Sequence, residues 1–165
     1  MNSHPFDTLL LAEGGSLIFT PCPGTKGVDI QTSLAQLKQA GTMAVITLMP
    51  DDEMARFEVE NLPSICTRIG LQWFHLPIED DTAPTAEFQR RWEKQKGQIT
   101  TMLEKKETLA IHCRGGSGRT GLMAAIILLE CGIPIGQAVS MVKGLRPNAL
   151  KIQPHIDYLV SINTR

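Results

Sequence analysis

The sequence lacks several features that would assign it to a specialised class of protein. No apolar run approaches the roughly 20 residues that a membrane-spanning helix needs, and the N-terminal residues carry no basic segment typical of a signal peptide. The formal net charge is only -1, so neither a nucleic-acid partner nor a membrane surface is favoured. The four cysteines form no C-x-x-C pair. Together these absences favour a cytoplasmic protein with no membrane span and no nucleic-acid partner.

Apolar segments of two different periods run through the chain. Short apolar runs predict strands at 16–19, 43–48, 72–78 and 108–112, and helical spacing predicts helices at 29–40, 63–70, 86–106, 119–131, 134–145 and 153–162, with another helical region from 50. Strands that alternate with helices predict an α/β fold with a central, mainly parallel sheet of four to five strands flanked by helices. Because the chain shows no repeat or linker, residues 1–165 are expected to form a single domain.

The segment AIHCRGGSGRTG, residues 110–121, contains the densest chemistry in the chain. An apolar run precedes it and another follows it, which is typical of a strand that leads through a glycine-rich turn into a helix. Open α/β sheets bind their ligands at such carboxyl ends of strands. The glycines allow the backbone to approach a ligand closely, and the arginines indicate that this ligand is negatively charged.

Three other interpretations fit this turn poorly. The run from Gly116 to Gly121 matches the dinucleotide pattern G-x-G-x-x-G, but no acidic residue follows between 131 and 156, whereas such sites place one about 20 residues later. The nucleotide-binding loop G-x-x-x-x-G-K-[ST] needs a glycine where Cys113 stands and a lysine where Arg119 stands. A purely structural cysteine in the core leaves the arginines unexplained.

A cysteine that attacks phosphate explains the whole turn. Backbone N–H groups of the turn and the N-terminus of the next helix can bind an anion, and the same field favours a thiolate at Cys113. The planar guanidinium of Arg119 can hold two phosphate oxygens at once. We therefore predict that Cys113 is the nucleophile, that Arg119 binds the phosphate, and that the residues between them form its cradle: Arg114, Gly115, Gly116, Ser117 and Gly118.

This turn resembles the H-C-x-x-G-x-x-R-[ST]-G signature of the cysteine-dependent protein tyrosine phosphatases. The segment 77–84 reads P-I-x-D-x-x-x-P and is most similar to the branch of the family associated with cyclin-dependent kinases, as is the segment 19–24. Arg146 and Gln153 resemble the tail shared by the dual-specificity members, where an arginine and a glutamine follow the catalytic helix. The resemblance implies a protein tyrosine phosphatase-like fold and makes Asp80 the general acid, in preference to its acidic neighbours. It also implies supporting roles for His112, Thr120 and Gln153, although the Thr120 hydroxyl also suits a helix cap.

The resemblance implies a phosphatase that forms a phosphocysteine and needs no metal ion or cofactor. In members that act on phosphotyrosine alone, a tyrosine near the N-terminus forms a wall of a deep pocket. The single tyrosine of this sequence is Tyr158, near the other end of the chain. A dual-specificity enzyme is therefore expected, with phosphorylated proteins as substrates and an oligomeric state left open. The alternatives are a phosphatase for an inositol phosphate or a nucleotide, and a phospho-binding module without turnover. Cys22 is a candidate disulfide partner for oxidised Cys113.

Overall fold

The computed structural model describes residues 2–163. Their sheet has five strands in the order β1-β2-β5-β3-β4. The antiparallel pair is β1 with β2, and the other neighbouring strands are parallel. The predicted α/β fold with a mainly parallel sheet is confirmed. The strands are β1 (Asp7–Leu10), β2 (Ser16–Thr20), β3 (Thr42–Thr47), β4 (Gln72–His75) and β5 (Thr108–His112).

Helices cover both faces of this sheet. They are α1 (Ile30–Gln39), α2 (Asp51–Arg56), α3 (Leu62–Ile69), α4 (Ala86–Glu104), α5 (Gly118–Glu130), α6 (Ile135–Leu145) and α7 (Gln153–Asn163). The side chains of β5 alternate between two cores: Leu109 and Ile111 pack with α4 to α7, and Ala110 packs with α1 to α3. β5 therefore lies at the centre of the fold. Between residues 2 and 163, no helix has the length and apolar character needed to cross a membrane.

Two edge strands differ from the sequence prediction. β1 was not predicted, because it is largely exposed and has no alternation of apolar and polar residues. β4 is shorter than the predicted strand 72–78 and ends at His75. The chain nevertheless stays beside β3, since the N–H groups of Leu76 and Ile78 donate to Thr47 and Leu48 at 3.0 and 2.8 Å. Residues 76–78 thus lead the chain toward the carboxyl edge of the sheet.

Candidate active site

The turn 113–117 joins the end of β5 to the beginning of α5. Gly116 has a φ of +80°, and a Cβ atom there would lie 2.6 Å from the backbone of Thr20 and Pro21. A side chain at this position would clash with backbone that cannot yield, so the turn requires glycine here. This close packing against the end of β2 fixes the curvature of the turn around Cys113.

Two hydrogen-bond donors converge on the buried Sγ atom of Cys113. The backbone N–H of Gly116 lies 3.2 Å from the sulfur, and the hydroxyl of Thr120 lies 3.1 Å from it. Both donors stabilise negative charge on the sulfur. Thr120 is inside α5, whereas the residue at the N-cap is Ser117. The helix-cap role considered for the Thr120 hydroxyl is therefore wrong, and the contact with the sulfur is the one that the structure shows.

Arg119 is almost completely buried and is held by a carboxylate. Its Nη1 and Nη2 atoms donate to the two carboxylate oxygens of Glu53 at 2.7 and 2.8 Å, and Nη1 also donates to the carbonyl of Ile78 at 3.0 Å. Burial opposes the charged form, but Glu53, together with Cys113 and Asp80, raises the pKa of Arg119 above its usual value. Arg119 is therefore a fixed cation beneath the turn.

The Nε atom of Arg119 is buried and has no hydrogen-bond partner among the described residues. Asp80 approaches it, with Oδ1 at 3.5 Å, but the Asp80 side chain is 61% exposed. A buried N–H without a partner at the edge of a glycine-rich turn is typical of a site that receives an anion. The arrangement leaves one arm of the guanidinium available for a phosphate oxygen while Glu53 occupies the other arm.

Asp80 lies in a tight turn formed by residues 79–82. The N–H and the hydroxyl of Thr82 both donate to the carbonyl of Glu79, at 3.3 and 2.9 Å. Asp81 adopts a φ of +59°, which is uncommon for a residue with a side chain. The side chains of Asp80 and Asp81 both line the cleft above Cys113, whereas Glu79 is not among the lining residues.

The cleft has a volume of about 440 Å³. Arg114 stands at its rim with its guanidinium carbon 5.1 Å from the centre of the Phe57 ring, a cation–π distance. Lys26 and Thr25 contribute from the loop after β2. The cleft contains these predicted residues: Asp80, Cys113, Arg114, Gly115, Ser117, Gly118 and Arg119.

His112 fixes the backbone of the nucleophile from below. Its Nδ1 donates to the carbonyl of Cys113 at 3.0 Å, because a carbonyl accepts only, and its Nε2 accepts from the hydroxyl of Thr47 at 2.7 Å. That hydroxyl in turn accepts from Trp73 Nε1 at 2.8 Å. Burial lowers the pKa of His112 to about 4, so the ring is neutral and its two hydrogen bonds hold the backbone of Cys113.

We expect the free energy of unfolding to fall as the pH is lowered from about 6.5, the usual pKa of histidine, to about 4, the pKa of buried His112. Within that window the unfolded chain binds a proton at this position and the folded chain does not, so protonation favours unfolding. His112 alone should account for about 3 kcal/mol. Urea unfolding at a series of pH values measures this slope.

The control for that experiment is His112→Asn, whose Nδ2 can still donate to the Cys113 carbonyl. Burial also lowers the pKa of His4 and of His155, and these two residues contribute to the slope in both proteins. The difference between the proteins therefore isolates His112. An equal pH dependence in the two proteins would contradict this account of the buried ring.

The remaining residues singled out in the sequence differ in whether they contact the turn. Gln153 is exposed at the start of α7, and its amide donates to Asp157 at 2.7 Å; it is absent from the described residues that line the cleft. Arg146 instead reaches the turn, since its Nε donates to the carbonyl of Gly116 at 2.9 Å. Cys22 is a free, buried thiol whose N–H donates to the carbonyl of Arg114 at 3.0 Å. Burial, with a smaller effect of Cys113, raises the pKa of Cys22 to about 12.

Sequence reasoning missed Glu53, although it is the main partner of Arg119. Residues 51–53 are three consecutive acids at the start of a helix, a pattern typical of solvated side chains that interact with the helix dipole. Glu53 is nevertheless 3% exposed. A carboxylate partner for Arg119 could have been expected, because a buried arginine needs one. The sequence does not indicate which acidic residue this partner is.

Comparison with known proteins gives a consistent set of relatives. A family model described as "Polymorphic toxin system, DSP-PTPase phosphatase" matches residues 23–133. The chain is 32% identical over 130 residues to cyclin-dependent kinase inhibitor 3 of Rattus norvegicus, covering 75% of this chain and 60% of that protein. It is 28% identical over 123 residues to probable protein tyrosine phosphatase type IVA A of Dictyostelium discoideum, covering 69% of this chain and 73% of that protein.

Solved structures share the fold. A kinase associated phosphatase with serine in place of its catalytic-site cysteine superposes with a TM-score of 0.87 at 24% identity, covering 99% of this chain and 96% of that chain. Tk-PTP in its active form gives a TM-score of 0.73 at 24% identity, covering 96% and 97%. The chain spans about 60% of the length of cyclin-dependent kinase inhibitor 3.

Proposed function

The chain belongs to the DSP-PTPase phosphatases, the family of cysteine-dependent phosphatases predicted from its glycine-rich turn, and from that membership we propose that it hydrolyses phosphomonoesters of protein side chains through a phosphocysteine. The observation that carries the proposal is the meeting of three groups in one cleft. Cys113 carries two donors on its sulfur, Arg119 offers an unpaired N–H, and Asp80 stands 3.5 Å from that N–H.

In the first step, the sulfur of Cys113 attacks phosphorus. The S–P bond forms while the P–O bond to the substrate breaks, and Asp80 gives its proton to the departing oxygen. Arg119 Nε and the N–H groups of the turn bind the remaining phosphoryl oxygens, where charge is concentrated in the transition state. The acid and the nucleophile therefore act on opposite ends of the bond that breaks.

In the second step, a water molecule attacks the phosphocysteine. Asp80, now a carboxylate, takes a proton from that water, the S–P bond breaks, and inorganic phosphate leaves. The sulfur departs as a thiolate, and the Thr120 hydroxyl 3.1 Å away supports its charge. The enzyme is thereby returned to its starting state with no group consumed other than water.

The substrates that we propose are phosphotyrosine, phosphoserine and phosphothreonine in proteins. The described residues around the cleft include no tyrosine wall, and Phe57 is the aromatic side chain at its rim. An open cleft of this kind favours access for short as well as long phosphorylated side chains. The relatives support this class, because their names are those of a kinase-associated phosphatase and of protein tyrosine phosphatases.

A phosphatase for a small, multiply charged phosphoester is the second candidate. Lys26 and Arg114 both line the cleft beside the turn, and two cations in addition to Arg119 favour a substrate with a further anionic group. A comparison of kcat/KM for a phosphotyrosine peptide, a phosphothreonine peptide and an inositol bisphosphate separates the two candidates. A kcat/KM about 10²-fold higher for the inositol bisphosphate, equivalent to about 3 kcal/mol of transition-state binding, would favour the small phosphoester over a protein as the substrate.

Replacement of Asp80 by asparagine tests the role of the acid. The Asp80→Asn variant should lower kcat by about 10² to 10⁴ for a poor leaving group such as the serine alkoxide of a phosphopeptide. The loss should be smaller for 4-nitrophenyl phosphate, whose leaving group needs less protonation. The alkaline limb of the kcat–pH profile should also disappear, because the group that must stay protonated is gone.

Asp81→Asn is the matched control for this variant. Asparagine tolerates the left-handed backbone of position 81, so the turn should keep its shape and kcat should change by less than about tenfold. The assignment would be wrong if Asp81→Asn removed the alkaline limb while Asp80→Asn retained it. In that case Asp81, which also lines the cleft, would be the acid.

A further inference from the structure

The turn that carries Asp80 has little packing of its own. Residues 79–82 are all exposed, and the buried side chains that flank them are Ile78 and Pro84. The backbone of Asp81 is in the left-handed region, with a φ of +59°, a conformation that costs about 1 kcal/mol and persists where neighbouring contacts impose it. A turn of this kind needs a contact from outside if its carboxylate is to be aimed at one point.

That contact comes from α7. His155 is 2% exposed, and its Nε2 lies 2.9 Å from the carbonyl of Thr82, the last residue of the turn. Because a carbonyl accepts only, Nε2 carries the hydrogen and donates it. The Nδ1 atom is buried and has no hydrogen-bond partner among residues 2–163. The hydrogen bond to Thr82 is therefore the one that the ring nitrogens make within this range.

The helix that carries His155 is itself well fixed. Leu159, one turn later, is 2% exposed. The Tyr158 ring meets the Phe88 ring of α4 edge to face, with 6.3 Å between their centres. His155 is thus a donor on a packed helix, and the turn that accepts its hydrogen bond is exposed.

We propose that His155 is a positioning residue, which holds the 79–82 turn through the Thr82 carbonyl so that Asp80 reaches the leaving oxygen of the substrate. The inference rests on the proposed function, since it requires Asp80 to be the general acid. His155 touches neither the nucleophile nor the bound phosphate in the proposed reaction. Its loss should therefore affect proton delivery and leave phosphate binding unchanged.

The buried ring donates to Thr82 in its neutral form, in which Nδ1 carries no hydrogen and needs no acceptor. Protonation would place a second N–H on Nδ1, where burial offers it no acceptor, and burial is the main cause that lowers the pKa of His155. The Thr82 carbonyl, Asp81 and Asp80 favour the charged ring, and Arg119 opposes it. The hydrogen bond to Thr82 therefore persists without a change of charge around neutral pH.

The test compares two small substrates that differ in their leaving group, 4-nitrophenyl phosphate and phenyl phosphate. His155→Leu should lower kcat for phenyl phosphate by about 10- to 10²-fold. The loss for 4-nitrophenyl phosphate should stay below about threefold, because that substrate depends less on the acid. Gln has its amide nitrogen the same number of bonds from Cα as Nε2 of histidine, so His155→Gln should restore phenyl phosphate hydrolysis to within about threefold of the wild type.

The double variant Asp80→Asn/His155→Leu completes the experiment. If His155 acts through Asp80, His155→Leu should have no further effect once Asp80 has been replaced. Equal losses on both substrates, no loss on either, failure of the Gln variant to restore activity, or a full effect in the absence of Asp80 would each overturn the proposal. If His155→Leu does not fold in a thermal scan, His155→Asn, whose donor is one bond too short, is used instead.

The same measurements separate failure of this inference from failure of the proposed function. If Asp80→Asn leaves the ratio between the two substrates unchanged, then Asp80 is not the acid and the proposed function is wrong in that part. If Asp80→Asn changes the ratio and His155→Leu does not, then the acid assignment stands and the positioning role of His155 is wrong.

Discussion

Replacement of Cys113 by serine should lower kcat by at least about 10³-fold for every phosphoester tested. The thiolate is a strong nucleophile, whereas a serine hydroxyl needs an adjacent base to become one. Among residues 2–163, the groups within hydrogen-bond distance of the sulfur are the Gly116 N–H and the Thr120 hydroxyl, and both act as donors there. Neither group can remove a proton from serine, so the oxygen that replaces the sulfur stays a poor nucleophile.

Binding of the phosphate should survive this substitution. The cradle is built from the backbone of the turn and from Arg119, and serine at position 113 removes neither. Inorganic phosphate should therefore protect the Cys113→Ser variant against thermal unfolding as well as it protects the wild type. Residual turnover above about one part in 10³ would argue against covalent catalysis at this residue.

The covalent intermediate supplies an independent measurement. Acid quenching during turnover of a ³²P-labelled substrate should trap a phosphoenzyme in the wild type and none in the Cys113→Ser variant. Cys131→Ser is the control, because this cysteine is exposed at the end of α5. It should trap as much label as the wild type. A phosphoenzyme trapped in the Cys113→Ser variant would show that a group other than the Cys113 sulfur is the nucleophile.

The nucleophile turn could be predicted from the sequence because its function is encoded in consecutive residues. Gly116 is needed for a backbone conformation and for close packing, and Cys113 and Arg119 lie at the two ends of a single turn. Such local requirements leave a local pattern. The central sheet was also predictable, since β5 and its neighbours are buried on both faces and have continuous apolar runs.

The long-range contacts that support the site could not be predicted, even though the resemblance had singled out Arg146, because the partners lie far apart in the chain. Glu53, Arg146 and His155 belong to three different helices or their ends, and the partners they contact become neighbours through tertiary folding alone. A single Glu, Arg or His on an amphipathic helix is usually a solvated side chain. Their roles depend on burial, which the sequence pattern does not encode for isolated polar residues.

Replacement of Arg119 by lysine should lower kcat/KM by about 10³-fold or more, the range found for arginines that stabilise phosphoryl-transfer transition states. Arg119 performs two tasks at once. Its two terminal nitrogens hold the oxygens of Glu53 at 2.7 and 2.8 Å, and its Nε–H has no hydrogen-bond partner among the described residues. A lysine ammonium is a single point of charge and cannot satisfy a carboxylate and a phosphate in different directions.

The same substitution should also reveal the Glu53 carboxylate as a buried anion with a poorer partner. Lysine keeps the positive charge but contacts the carboxylate at one point, so Arg119→Lys should lower the free energy of unfolding by less than the roughly 3–5 kcal/mol that removal of a whole partner costs. The double variant Arg119→Lys/Glu53→Gln leaves the lysine ammonium buried without a carboxylate, so it should be less stable in urea unfolding than Arg119→Lys. Its kcat/KM should stay as low as that of Arg119→Lys, because both variants lack the Nε–H that faces the proposed phosphate site.

The single variant Glu53→Gln separates the positioning of the guanidinium from the binding of phosphate. It keeps one acceptor for the guanidinium and removes the charge, so we expect a loss of about tenfold in kcat/KM, much smaller than the loss from Arg119→Lys. If Arg119→Lys kept a tenth of the wild-type kcat/KM, the requirement for a guanidinium that contacts Glu53 and phosphate at the same time would be wrong. If instead Glu53→Gln lost as much activity as Arg119→Lys, then the carboxylate would be the group on which the geometry of the phosphate site depends, with Arg119 serving mainly to neutralise it.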